Sequence, residues 1–371
     1  MRVLRLLMKQ KTLRSFFCKD KANEVEEVLP KIESKKPTIS EKKHRIVHTQ
    51  PLDKVPSKNQ TETIRAHTTP DKYNPSKENY HGINDACWSE NDSVPFMALC
   101  QAFLAIESIS ARLKMISILT NYFHSVLRLT NKDLVPSIYL CLNQIGPSYE
   151  GKELGIGEGA LISVLANSTG KKSEYIKKEM NKFSDLGILA ENCRTSQNTM
   201  FKHTPLNVSD VFEKLKEIGN ITGQSSFAHK KNKIRGLITA CVGCETRYLI
   251  RSLQKKLRIG LAEQSILVAI AHAFVYYKTP LDKQPSKEEL DIAALTVKTA
   301  YCELPNYDII INSILNNGLQ KLHESCKMMP GVPVKPMLAN SSKSISEILK
   351  RFDEIKISCE YKYDGERAQV A

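Results

Sequence analysis

The sequence predicts a mainly α protein, preceded by a disordered basic tail and ending on a strand that runs into a turn. Three observations predict it. Apolar residues recur every three or four positions through most of the chain from about Asn84 onward, the spacing of one helix face. The residues before Asn84 show no such recurrence and are rich in Lys, Ser, Thr and Pro, so they cannot offset their ordering entropy by burying apolar surface. Near the end, aromatics alternate around a lysine in Glu360-Tyr361-Lys362-Tyr363, and Asp364-Gly365 follows at once, the pattern of a strand running into a turn.

Composition narrows the class of partner. The 371 residues are 41% apolar, enough to bury a core in more than one domain. With 54 Lys and Arg against 40 Asp and Glu, the formal net charge is +14, which favours a polyanionic partner because basic side chains gain affinity by displacing counterions from phosphates. An acidic membrane surface would attract the same charge. No stretch approaches the roughly 18 apolar residues of a spanning helix, so a nucleic acid is the expected partner and no membrane is. The ten cysteines lie scattered in apolar contexts and read as reduced, buried thiols of an intracellular protein. Cys241 and Cys244 are spaced Cys-X-X-Cys, but they fall inside a helical pattern with no second pair at zinc-finger distance, so no metal site is expected in this chain.

The tail carries short signals. Gln10, Leu13, Phe16 and Phe17 follow the spacing of one tight helical turn that plugs three apolar side chains into a pocket while the glutamine anchors a polar rim. This stretch resembles a PIP-type peptide, implying a sliding clamp (PCNA) as partner. The first seventeen residues hold Arg2, Arg5, Lys9, Lys11 and Arg14 with no acid before Asp20, the composition of a mitochondrial presequence. Met8 stands just ahead of the clamp-type peptide. Initiation at Met1 is therefore expected to direct the product to the mitochondrion, and initiation at Met8 to the nucleus. Lys35-Lys36 and Lys42-Lys43-His44-Arg45 resemble a bipartite nuclear signal or, equally, form a solvated charge run.

In the helical region, Phe96, Leu99, Phe103 and Ile106 mark one face, and Leu113, Ile116, Leu119, Phe123 and Val126 mark the next. Pro136 near a first turn opens another helix, and Gly146-Pro147 closes it. The glycine-rich Gly151–Gly159 has neither a preceding strand nor a following Gly-Lys-Ser/Thr, so it reads as a loop into a helix at 160–166 rather than a phosphate-cradling loop. Further helices are expected over 173–190 and 207–222. From Ile234 one helix is expected to run to about Leu257, with Ile234, Leu237, Ile238, Cys241, Cys244 and Tyr248 on its apolar face and Arg235, Arg247 and Arg251 off it.

A short break then leads into a helix that buries Ile266, Leu267, Ile270, Phe274 and Tyr277. At this break basic side chains, Gly260 and the free N–H groups of a helix start converge, a combination that suits a nucleic-acid phosphate and reads no base edge. A plain helix-helix corner with Lys256 and Arg258 in solvent is the structural alternative.

Lys362 can act as a covalent nucleophile if burial or neighbouring positive charge lowers its pKa; a hairpin turn with solvated charges is the bland reading. Lys-X-Asp-Gly followed by Arg367 resembles the adenylation motif of covalent nucleotidyltransferases, which include DNA ligases, RNA ligases and capping enzymes. Ser110–Met115, Leu154–Ile162, Arg251–Ser265, Pro330–Ala339 and Cys359–Val370 follow one another as in the eukaryotic replicative ATP-dependent DNA ligases. The resemblance covers the chain from about Asp85.

It implies a disordered tail over 1–83, an all-α DNA-binding domain over 84–329 and, over 330–371, a linker and the start of an α/β nucleotidyltransferase domain. It also implies nick sealing in replication, repair and recombination, with ATP and Mg2+ as cofactors and a monomer bound to nicked double-stranded DNA. Residue by residue, Lys362 matches the lysine that attacks the α-phosphate of ATP, expels pyrophosphate and becomes lysyl-AMP. Glu360 matches the adenine-recognising residue, and Arg367 an arginine near the nucleotide. The DNA-contacting segment falls on Lys256, Leu257, Arg258, Ile259, Gly260, Leu261, Ala262, Glu263, Gln264 and Ser265. The sequence stops at Ala371, before the carboxylates that would hold metal, so this polypeptide alone is expected neither to ligate nor to self-adenylate, and its motif strand to find no sheet to join. A non-catalytic DNA- and clamp-binding protein is the main alternative. A capping guanylyltransferase shares the lysine motif but leaves the helical domain unexplained.

Overall fold

The computed structural model describes residues 4–7, 69–195, 204–280, 283–336, 341–352 and 355–361. Gln10, Leu13, Phe16, Phe17, Lys362 and Arg367 therefore lie outside the described residues, as do the basic clusters of the tail. The chain divides into two units, one over 66–337 and one that joins 1–65 to 338–367.

Among the described residues of the larger unit, thirteen α-helices follow in order: α1 (Phe96–Glu107), α2 (Arg112–Leu129), α3 (Leu134–Leu142), α4 (Glu158–Thr169), α5 (Ser173–Phe183), α6 (Leu186–Thr195), α7 (Val208–Asn220), α8 (Ser226–Ala240), α9 (Cys244–Leu253), α10 (Glu263–Lys278), α11 (Lys287–Glu303), α12 (Tyr307–Asn317) and the short α13 (Leu322–Ser325). The fold is mainly α, as the periodicity predicts. Helix α10 is central, packed against α2 and α11. Its buried residues go nearly all the way round, because Ala269, Ala271 and Ala273 let neighbours approach closely while Ile266, Leu267, Ile270 and Phe274 fill the space between. Aromatic contacts join distant segments. The Tyr139 ring of α3 stacks on Phe212 of α7 at 5.5 Å and meets Tyr307 of α12 edge-on at 5.8 Å. Helix α11 opens on a capping box, Ser286 accepting from the Glu289 N–H at 3.2 Å and Glu289 accepting from the Ser286 N–H at 2.9 Å.

Several expected boundaries move. The helix predicted from Ile234 to Leu257 is two, α8 and α9, because Gly243 takes φ +51° and the Glu245 carboxylate accepts from the Val242 N–H at 2.8 Å, turning the chain between them. Cys241 follows the last residue of α8 and Cys244 is the first residue of α9, so the two lie on either side of this break rather than within one helix, and both are buried free thiols. The segment 173–190 is likewise two helices, parted at Ser184 with φ +50°, and α3 stops at Asn143 with φ +57°, ahead of Gly146-Pro147. Leu113 at the start of α2 is 82% exposed, and Tyr277 faces outward beneath the Arg128 guanidinium, 5.0 Å from its ring centroid. The ordered body also begins earlier than composition suggests. Tyr73 is buried, its hydroxyl 2.8 Å from that of Tyr80 and its ring edge-on to Trp88 at 5.8 Å.

In the smaller unit, α14 (Ile345–Arg351) is capped by Ser344, which accepts from the Glu347 N–H at 3.2 Å. Strand β2 (Ser358–Tyr361) pairs antiparallel with β1 (Leu4–Leu7), Leu4 opposite Tyr361 and Leu7 opposite Ser358. The motif strand thus has a partner, contrary to expectation, and the two strands form one antiparallel ladder that satisfies the backbone groups facing between them. Among the described residues no helix is long and apolar enough to cross a membrane.

Candidate DNA interface

The turn between α9 and α10 is built by alternation. Leu257 and Ile259 are buried at 8% and 4% exposure, so the residues between and beside them, Lys256, Arg258 and Gly260, are forced outward. Lys255, Arg258 and Gly260 all have positive φ, at +55°, +56° and +67°. At Gly260 the conformation is free; at the other two it costs energy that the surroundings must offset.

The predicted segment therefore divides. Lys256, Arg258, Gly260, Ala262 and Gln264 are exposed, Leu261 and Glu263 are half-buried, and Leu257, Ile259 and Ser265 are core residues that hold the turn and cannot present side chains to a ligand. Ser265 accepts from Arg112 Nε at 3.2 Å. The start of α10 is less receptive to an anion than expected, since Glu263 stands at its first residue. That carboxylate accepts from the Tyr301 hydroxyl at 2.6 Å and from Lys335 Nζ at 3.2 Å. Anion binding here falls to the turn's own basic side chains.

A hollow of about 480 Å³ lies beside the turn, lined by Asn143, Gln144, Lys255, Arg258, Gly260 and Lys335 among others. A second of about 210 Å³ shares Asn143, Gln144 and Lys255 and reaches Gly151 and Lys152. The two meet where Lys255 Nζ pairs with Glu153 Oε1 at 2.6 Å.

Glu153 belongs to a second turn, between α3 and α4, that shares part of the first turn's sequence and backbone and differs at its last residue, Gly157 having φ −82° where Gly260 has +67°. Leu154-Gly155-Ile156-Gly157 has the Leu-X-Ile-Gly pattern of Leu257-Arg258-Ile259-Gly260, and each leads into a helix that begins with Glu at its first position. The second residue of each has positive φ, +62° at Gly155 and +56° at Arg258, and the leading leucine is buried in both. Lys230 Nζ donates to the Leu154 carbonyl at 2.7 Å and fixes this turn. Residues 151–157 form a loop into α4, as the sequence predicts, and Leu-X-Ile-Gly is the pattern they share with 257–260.

Behind the first turn lies a charged network. Arg251, expected off the apolar face of its helix, is only 2% exposed. It donates to Glu107 from NH1 at 2.8 Å and NH2 at 2.9 Å, and to Asp185 from Nε at 3.1 Å and NH2 at 2.8 Å. Arg247 pairs with Glu191 at 2.6 Å, and the Tyr248 hydroxyl donates to Glu107 at 2.7 Å. Burial is the largest single influence and would raise the carboxyls of Asp185 and Glu107, but the hydrogen bonds and charge of Arg251, joined by the Gly187 N–H and Arg258 at Asp185 and by Tyr248 and Arg247 at Glu107, together outweigh it and hold both below the ordinary range. Arg258 joins from the surface, donating to the Ser184 carbonyl at 3.1 Å with Asp185 3.6 Å away.

Glu360 lies on β2, and Tyr361 beside it is 77% exposed. Among the described residues no group of three or more His, Cys, Asp or Glu is placed to hold a metal ion. The turn region thus offers fixed positive charge and exposed backbone, the means of binding a phosphate chain.

Comparison with known proteins agrees. Residues 95–271, which include both Leu-X-Ile-Gly turns, match the family model for the DNA ligase N terminus, and residues 336–371, which include Glu360, Lys362 and Arg367, match that for the ATP-dependent DNA ligase domain. The chain is 45% identical over 307 residues to DNA ligase 1 of Drosophila melanogaster, covering 81% of this chain and 40% of the fly protein. It is 44% identical over 306 residues to DNA ligase 1 of Dictyostelium discoideum, covering 78% of this chain and 26% of that one. For DNA ligase 1 of Saccharomyces cerevisiae the identity is 40% over 298 residues, with 78% and 40% covered. The chain therefore spans less than half the length of these relatives. Two ligase models in sequence order, and relatives 40% and 45% identical over 78% and 81% of this chain, leave one conclusion: the chain belongs to the ATP-dependent DNA ligase family.

Proposed function

We propose that this chain supplies the DNA-binding region and the adenylation lysine of a ligase that seals nicks in duplex DNA during replication, repair and recombination. The observation that carries the DNA half is the turn at 256–260, where two buried aliphatics force Lys256 and Arg258 outward beside a glycine. In this reading 84–329, with the packed residues just before it, docks on nicked duplex as a monomer, independently of sequence, and 330–371 leads into the nucleotidyltransferase domain. Lys362 Nζ forms a bond to the α-phosphorus of ATP as pyrophosphate leaves, Glu360 selects the adenine, and Arg367 lies near the nucleotide. AMP then passes to the 5′ phosphate of the nick, and the 3′ hydroxyl displaces it. Mg2+ would neutralise phosphate charge during transfer.

Incubation with α-labelled ATP and magnesium tests the chemical half. Covalent label on the wild type that disappears in Lys362→Ala supports the assignment, and equal labelling of both overturns it. If neither takes label while nicked duplex is bound, the chain by itself is a DNA- and clamp-binding protein. Preference for GTP would instead point to capping chemistry.

The tail reads as the means of delivery, with Gln10, Leu13, Phe16 and Phe17 seated on a sliding clamp. Products begun at Met8 and Met1 go to the nucleus and the mitochondrion, respectively. Fluorescent fusions begun at each methionine are expected to separate between the two compartments, and identical nuclear staining would rule the presequence out.

A further inference from the structure

We propose that Arg251 is a positioning residue for DNA binding, one that sets the shape of the 255–260 turn from behind without touching the ligand. The inference rests on the reading of that turn as a phosphate contact. It starts from a full set of donors. A guanidinium has five N–H groups. Four go to Glu107 and Asp185, and the fifth, on NH1, points to the carbonyl of Leu257 at 3.4 Å. The backbone of Arg251 grips the same turn, its carbonyl accepting from the Lys256 N–H at 3.0 Å.

Arg251 therefore holds Lys256 through its main chain and Leu257 through its side chain, on either side of the bond that joins them. Asp185, locked by Arg251, lies 3.6 Å from Arg258 on the outer side. An ion pair that served only to stabilise the fold would need the two carboxylates and nothing from the turn. Here the network ends on the residues that present positive charge.

Two features explain why such a brace is needed. Lys255 and Arg258 sit at positive φ without being glycine, a conformation that persists only where the surroundings over-determine it. The brace also requires α6 to lie unusually close to α9. A Cβ on Gly187 would stand 2.9 Å from Arg251 Cγ, 2.7 Å from the Arg247 carbonyl oxygen and 3.1 Å from Asp185 Oδ1, so only glycine admits the approach. Lysine at position 251 would keep the charge but has three donors and no planar fork, and so cannot serve both carboxylates and the turn.

The test is a double-mutant cycle on this chain, with affinity for nicked duplex read by fluorescence anisotropy and folding by thermal denaturation. Arg251→Lys is expected to weaken binding about tenfold in the wild-type background and less than about twofold when Lys256→Ala and Arg258→Ala are already present, a coupling of ordinary size for groups in one network. With Lys256→Ala alone as the background, whose side chain makes no ion pair with Asp185, its effect on the melting temperature should be unchanged while the affinity coupling persists, which separates positioning from stability. Should Arg251→Lys not fold, Asp185→Asn enters the same cycle. Affinity losses that simply add, or no loss from Arg251→Lys, would overturn the positioning role while leaving the turn as the contact. If Lys256→Ala with Arg258→Ala leaves affinity unchanged, the turn itself is not the contact, and this inference falls with that reading.

Discussion

Reversing the two outward charges, Lys256→Glu with Arg258→Glu, is expected to weaken binding to nicked duplex by at least roughly a hundredfold at moderate salt, since each charge-assisted contact contributes about 1.5–3 kcal/mol. It should also flatten the dependence of log affinity on log salt by about two, one unit for each phosphate no longer neutralised. Duplexes of unrelated sequence should be affected alike, because neither side chain reads a base edge. Lys255→Glu should do less. Its ammonium is already paired with Glu153 at 2.6 Å, so the wild-type side chain brings little free charge to the turn. Arg258 shares Asp185 with Arg251, so that one carboxylate faces two guanidiniums and leaves Arg258 charge to spend on a ligand. Anisotropy titrations over a salt series measure both quantities. An unchanged slope with folded protein would exclude the turn from the interface.

Much of the helical body was legible because its signals are local. Phe96, Leu99, Phe103 and Ile106 are all buried on α1, and the 266–274 pattern is the packed interior of α10. A break ahead of α10 could be seen because Gly260 and a run of basic residues interrupt an apolar period, but it was expected at 258–260, whereas α9 already ends at Leu253. What could not be seen depended on distant partners or on conformations the residue type does not announce. Ser184 and Asn143 end helices at positive φ though neither is glycine, and the break at 241–243 is closed by a side chain, Glu245, that also fits a helix interior.

Arg251 is the clearest case. It lies three residues after buried Tyr248 and so on the same helix face, but an arginine there reads as solvent-facing until Glu107 and Asp185, more than sixty positions away in sequence, are brought against it. The candidate site divides in the same way. Residue spacing located the turn, yet only packing shows that Leu257, Ile259 and Ser265 support it from within. The chemistry of Lys362 rests on the motif and on the family match at 336–371.

Removing the charge of Arg251 altogether should be the most damaging single change in the helical unit. Arg251→Met has nearly the right length and no donors, so it leaves Asp185, 6% exposed, and the partly buried Glu107 without the partner that offsets their burial. Breaking a buried pair in this way typically costs about 3–5 kcal/mol at neutral pH. The cost should depend on acidity. In the wild type both carboxyls titrate below their ordinary values, so the stabilisation they supply is complete above the unfolded-state range and is lost as the pH falls through the depressed folded-state values. In Arg251→Met the main attraction is gone while burial remains, and Arg258 beside Asp185 and Arg247 beside Glu107 offset it only in part, which raises both carboxyls relative to the wild type; the variant then gains relative stability on acidification, because a proton removes charge that is no longer fully compensated. The gap in melting temperature between the two proteins should accordingly be widest near neutrality and close as the pH falls through the carboxylate range. A gap that stayed constant with pH would show that Arg251 contributes packing alone, and the network behind the turn would lose its electrostatic role.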